Sequence, residues 1–140
     1  MSGVHGPPQR THGDHDNNVK VFVRVKPLKR ADQMHSCLEV QGAKSITIGG
    51  RNQFTYDSVL GENCTQEDMF QAVGKSMTEN CLRGYNGTVF AYGQTGSGKT
   101  FTIQGPDAPS AASAVQDPQR GLAPRILQNL FALINRDVNN

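Results

Sequence analysis

The chain of 140 residues has no C-x-x-C pair; its three cysteines, Cys37, Cys64 and Cys81, are odd in number and far apart. Neither a zinc site nor a disulfide framework is indicated, and a reducing compartment is expected. No apolar run approaches the length of a membrane span. The opening M-S-G-V-H-G-P-P-Q-R lacks the apolar centre of a signal peptide. Asn86-Gly87-Thr88 therefore reads as a chance match to a glycosylation acceptor. Charge of one sign is also missing. The 14 basic and 12 acidic residues leave a formal net charge of +2. That balance gives no basis for a nucleic-acid or membrane partner. The small basic cluster Lys26, Lys29 and Arg30 reads as a solvated loop after a strand.

Large apolar side chains are nearly absent from residues 1–18. Such a stretch cannot bury enough surface to offset its ordering entropy, so a disordered tail is predicted there, with His12 and His15 solvated. The domain would then occupy residues 19–140. Hydrophobic residues make up 36% of the chain. Counting the 15 glycines and setting aside the 3 tyrosines brings this to about 44%, near the lower edge of the roughly 45–50% of globular domains. A core is possible, but a lean one.

V-K-V-F-V-R-V at 19–25 is β-branched and alternating, which predicts a strand that Pro27 ends. Short strands are expected at L-E-V, S-I-T-I and F-T-Y between residues 38 and 57, punctuated by Gly42 and Gly49-Gly50. Thr65 and Asp68 have the spacing of a capping box. Met69, Phe70, Val73, Met77 and Cys81 follow as one apolar helical stripe of core residues, and Gly84 is a left-handed stop. Thr88–Tyr92 (T-V-F-A-Y) is apolar without alternation and predicts a strand buried on both faces of a parallel sheet. Lys99–Ile103 can begin a helix that Gly105-Pro106 breaks. From Arg120 onward Leu122, Ile126, Leu127, Leu130, Phe131 and Ile134 share one helical face. The class is α/β, with a largely parallel sheet flanked by helices.

Between the predicted strand and helix lies G-Q-T-G-S-G-K-T, which fits G-x-x-x-x-G-K-S/T. By composition such a string arises in roughly one chain of this length in a few hundred, and its place between strand and helix sharpens it. Gly93, Gly96 and Gly98 permit backbone angles closed to other residues and let the main chain approach a ligand. The amides of Gln94, Thr95 and Ser97 can then turn inward on phosphate oxygens. Lys99 supplies a mobile positive charge, and the Thr100 hydroxyl can ligate Mg²⁺. The loop reads as a site for the phosphates of a nucleoside triphosphate. Hydrolysis further needs an acidic residue on a neighbouring strand and a group that positions water. No apolar strand ending in Asp follows Thr100, since F-A-L-I-N-R-D at 131–137 sits on the helical pattern. The sequence therefore reads as the front part of a larger domain.

At this point four ordered blocks resemble one family. N-G-T-V-F-A-Y-G-Q-T-G-S-G-K-T-F-T is similar to the P-loop of the kinesin motor domain. V-F-V-R-V-K-P at 21–27 resembles its first strand and adenine-contacting R-x-R-P. F-T-Y-D-S-V-L at 54–60 with T-Q-E-D-M-F resembles its F-x-F-D stretch and following helix, and G-L-A-P-R-I-L-Q-N-L-F at 121–131 the second half of the P-loop helix. The wording is most similar to twelfth-class mitotic and phragmoplast-associated kinesins.

The resemblance implies an incomplete P-loop NTPase fold that takes ATP and Mg²⁺. Arg24 and Pro27 would flank the adenine, Phe101 would pack on its other side, Tyr92 would lead into the loop, and Gly93–Thr100 would hold the phosphates. Lys26 stands where the family usually has Arg, so a planar fork becomes a point charge. Residues 104–119 would be a mobile loop interrupting the P-loop helix. The implied partner is the microtubule, in the cytoplasm and cytoskeleton, with spindle or phragmoplast as specific places. The longer form would be a coiled-coil homo-oligomer. The family's N-x-x-S-S-R-S-H and D-L-A-G-S-E segments do not occur in the sequence, so the expectation is the first part of a motor. Two other readings stand beside this one: a non-hydrolysing nucleotide- or partner-binding module made as a short product, and a different P-loop enzyme. The second lacks a guanine-reading N-K-x-D.

Overall fold

The computed structural model describes residues 19–28, 36–107 and 117–138. The predicted tail at 1–18, Lys29, Arg30 and residues 108–116 of the predicted loop lie outside the described residues.

Alternation around Phe22 produces a strand shorter than expected, β1 (Phe22–Arg24), which pairs in parallel with β5 (Ser58–Leu60). The sequence reading assigned no strand to β5. Its register sets Val23 beside Val59, and the Val25 amide extends the ladder onto Leu60 O at 2.8 Å. Between them lies an antiparallel meander, β2 (Leu38–Gln41), β3 (Ser45–Ile48) and β4 (Asn52–Thr55). Its β3–β4 turn uses Gly49 and Gly50 at φ 62° and 66°, angles that disfavour residues with a Cβ. Ile46 on β3 is buried, and Val59 N donates to Ala43 O at 2.7 Å, which ties the meander to the parallel pair.

The predicted helix start is present. Thr65 caps α1 (Gln66–Met69); its hydroxyl accepts from Asp68 N at 3.1 Å, and Asp68 Oδ2 accepts from Thr65 N at 2.9 Å. The helix widens into a π-helical stretch (Phe70–Gly74) and returns to α2 (Lys75–Leu82). A Cβ on Gly74 would run into the Phe70 ring and stand 3.1 Å from Leu122 Cδ1, so the missing side chain makes room for both. Gly84 ends the run at φ 85°. The expected stripe is buried at Met69 and Val73, but Cys81 is exposed. Thr78, outside the stripe, is fully buried, because its hydroxyl donates to Gly74 O at 2.9 Å and so satisfies itself within the helix.

The interrupted second helix is also as read: α3 (Lys99–Ile103) and α4 (Leu122–Val138). Gly121 N donates to Gln104 O at 3.0 Å, bringing the ends of the interruption together. Pro124 falls in the first turn of α4, where an amide has no intrahelical partner to lose. Leu122 seats α4 on Met69 and Val73, forming the core, with Phe22, Leu60, Phe70, Ile103 and Ile126 packed around it. The rest of the predicted face is open: Leu127 is 54% and Phe131 59% exposed.

One expectation is corrected. Thr88–Tyr92 is not a strand, and Phe90 is 78% exposed. A strand buried on both faces needs ladder partners on its edges and helices over its faces. Among the described residues, no strand pairs with this segment.

Candidate functional site

The segment from Gly93 to Thr100 leaves the extended stretch and turns into α3, as the spacing predicted. Ser97 N donates to Gln94 O at 3.2 Å to close a tight turn. Gly96 and Gly98 have φ of 80° and 98°, so both need the freedom of glycine, and a Cβ at either would meet nothing within 4 Å. Gly93, at φ 156°, is constrained by its backbone and by space as well: a Cβ there would stand 2.6 Å from Ser97 Oγ. Gly98 caps α3 without a side-chain hydrogen bond, and its carbonyl accepts first from Thr102 N at 2.9 Å. The amides of the first helical turn are therefore left for an outside acceptor.

Lys99 lies back over its own loop. Its Nζ donates to Gly93 O at 2.8 Å and Gln94 O at 2.9 Å. A second ammonium reaches the loop from β1, because Lys26 Nζ donates to Gly96 O at 2.7 Å across 70 residues of chain. The carbonyls of Gly93, Gln94 and Gly96 thus accept from two ammonium groups, while the space beside Gly96 and Gly98 is open. Thr100 is exposed beside Lys99, and the two residues line an open depression of about 240 Å³ with Ala91, Ile103 and Gln104. The glycine cradle, a lysine held on weak carbonyl acceptors and an accessible hydroxyl together fit a polyphosphate with a hard cation.

The expected base-side residues divide. The structure brings Arg24 to α3: its guanidinium carbon is 5.5 Å from the centroid of the Phe101 ring, and Nη1 donates to Thr102 Oγ1 at 3.1 Å. Phe101 is 38% exposed. Pro27 is exposed one residue past Lys26, and Tyr92 stands 96% exposed ahead of the loop.

Sequence reasoning missed two polar residues behind this wall. Gln66 is buried and joins Arg24 to α3. Arg125 on α4 is also buried; it pairs with Glu67 and donates to Pro118 O at 2.7 Å and Arg120 O at 3.0 Å. Burial raises the Cys64 thiol pKa above its ordinary value; Arg24 opposes this and Asp68 adds to it. A thiol so shifted is a poor nucleophile near neutral pH, so no cysteine chemistry is read into the wall.

The family model of the kinesin motor domain matches residues 10–140. The chain is 46% identical over 125 residues to Kinesin-like protein KIN-12A of Arabidopsis thaliana, covering 89% of this chain and 10% of that protein. It is likewise 46% identical over 125 residues to Kinesin-like protein KIF15 of Strongylocentrotus purpuratus, covering 85% of this chain and 8% of that one. A solved structure of a fast kinesin superposes with a TM-score of 0.69 at 36% identity, covering 82% of this chain and 33% of the other. The chain thus spans about a tenth of the length of these curated relatives. The match reaches from before β1 to the end of the chain and includes members of the twelfth class, and the chain belongs to the kinesin motor domain family.

Proposed function

We propose that this chain is the ATP-binding, N-terminal part of a kinesin-like microtubule motor whose longer form couples ATP hydrolysis to movement along microtubules. The observation that carries the reading is the Gly93–Thr100 loop, which opens α3 with uncapped amides and holds Lys99 on its own carbonyls. In this reading Lys99 leaves Gly93 O and Gln94 O for the outer phosphates. The loop amides take the remaining phosphate oxygens. The Thr100 hydroxyl would hold Mg²⁺, which supplies charge neutralisation on the phosphates. Arg24, Pro27 and Phe101 would face the adenine, with Tyr92 at the entrance. Thr88–Tyr92 and the open face of α4 would be covered by the rest of a motor domain, which would also supply the water-positioning groups and the track contacts. The proposed setting is the microtubule cytoskeleton, with spindle or phragmoplast as its specific place and a coiled-coil homo-oligomer as the longer form.

The test is titration of a fluorescent ATP analogue with Mg²⁺ against the chain and its Lys99→Ala variant. One unit charge at about 4 Å in a partly screened site contributes on the order of 4 kcal/mol. A fall in affinity of about 100-fold or more is expected. Equal affinities would remove Lys99, and with it the phosphate reading, from the account.

A further inference from the structure

Gln66 is a polar side chain only 4% exposed, and both ends of its amide are in use. Its Oε1 accepts from Arg24 Nη1 at 2.9 Å. Its Nε2 donates to Phe101 O at 2.7 Å and to Gln119 O at 3.0 Å. These partners come from β1, from α3 and from the approach to α4, at sequence separations of 42, 35 and 53 residues. The amide projects from a rigid base. Gln66 is the first residue of α1, directly after the Thr65–Asp68 capping box, and Met69 anchors the same turn in the core. Among the described residues the Arg24 guanidinium also donates to Thr102 Oγ1 at 3.1 Å and Cys64 O at 3.3 Å, and it lies over the Phe101 ring.

We infer that Gln66 is a positioning residue for the base-facing wall of the nucleotide site: one buried amide sets both the Arg24 guanidinium and the Phe101 backbone. The inference rests on the proposal that Arg24 and Phe101 face the base. It goes beyond that proposal by naming the group that holds the wall and by joining the wall to Gln119. Because Nε2 serves Phe101 O and Gln119 O together, one side chain links the segment leading into α4 to the Phe101 backbone. Gln66 touches neither the phosphate loop nor Lys99 in any of these bonds, so its effect separates base affinity from phosphate affinity.

The experiment compares Mg·ATP with inorganic tripolyphosphate, a probe with the phosphates and no base, by calorimetric titration of the 140-residue chain, Gln66→Leu and Gln66→Glu. Wild type is expected to prefer ATP. Gln66→Leu is expected to lose about tenfold in ATP affinity, the scale of one charge-assisted hydrogen bond, with tripolyphosphate affinity unchanged. Gln66→Glu keeps the acceptor for Arg24 and loses the donor to the two carbonyls, so a smaller loss confined to ATP is expected; it carries the same test where Gln66→Leu fails to fold. A wild-type chain that binds both probes equally overturns the base reading and this inference with it. A wild-type preference for ATP with variants that weaken both probes alike, or neither, overturns the role of Gln66 alone.

Discussion

Leu122 and Leu127 lie on one helix and one predicted face, yet their substitutions are expected to differ by a factor readable in a single urea titration. Leu122 is 1% exposed and closes the core against Met69 and Val73. Truncating a leucine so enclosed removes its transfer free energy and leaves a cavity, a loss of about 2.7–5 kcal/mol. Only five apolar residues are buried among the described residues: Ile46, Val59, Met69, Val73 and Leu122. So lean a core leaves little to spare, and Leu122→Ala is expected to remove a large fraction of a total stability on the order of 5–15 kcal/mol. Leu127 is 54% exposed. Full burial of a leucine is worth about 1.5–3 kcal/mol, so roughly half of that, near 1 kcal/mol, is at stake. The better helix propensity of alanine returns about 0.2 kcal/mol. The two variants should therefore differ by about 2–4 kcal/mol at matched m-values. In a longer protein that covers the second half of the face, the cost of Leu127→Ala should rise toward that of Leu122→Ala. Equal costs in the 140-residue chain would refute the reasoning, since they would mean that the exposed face is already covered.

Other outcomes are equally specific. Gly98→Ala meets no atom within 4 Å but must adopt φ near 98°, so its whole cost is backbone strain of about 1–2 kcal/mol; nucleotide affinity should fall roughly 5- to 30-fold, and a drop beyond 1,000-fold would point to a steric block instead. The Asp68 carboxyl is held below its ordinary value by the Thr65 hydroxyl, then by the Thr65 amide. Its folded pKa is thus below the unfolded one, so the cap stabilises above the usual carboxylate range and is lost as pH falls through the folded value. Asp68→Asn should melt lower than wild type at pH 7, with the gap closing below about pH 4; a gap constant from pH 7 to pH 2 would contradict the assignment. Lys26→Met removes the ammonium on Gly96 O. The contact is exposed, so the melting temperature should stay within a few degrees while Mg·ATP affinity drops several-fold, and Lys26→Arg should restore most of it.

Features governed by neighbouring residues were legible in the sequence. The Thr65–Asp68 box, the left-handed Gly84, the Gly49-Gly50 turn of the meander and the turn of the Gly93–Thr100 loop into α3 are each written in fewer than ten consecutive residues. What the pattern hid depends on distant partners. Gln66 carries no signal of its own beside the capping box; only folding brings Arg24, Phe101 O and Gln119 O to it. Arg125 likewise reads as surface charge until Glu67 and two carbonyls enclose it. The strand expected at Thr88–Tyr92 shows the converse. Its apolar composition is that of a strand with partners on both edges, but among the described residues no strand pairs with it, and Val89, Phe90 and Tyr92 are exposed. The α4 face divides for the same reason, since helical period marks which residues can be buried and a covering layer decides which are.

The central claim is that the backbone of one loop, with Lys99, receives a nucleoside triphosphate. Amide chemical shifts of the ¹⁵N-labelled chain, recorded as Mg·ATP is added, test it most directly. The account predicts saturable shifts concentrated at Gly96, Gly98, Lys99 and Thr100, with smaller ones at Phe101 and Arg24, all lost in Lys99→Ala. Saturable binding that leaves those amides unmoved, or no binding at millimolar Mg·ATP by a folded chain, would contradict it.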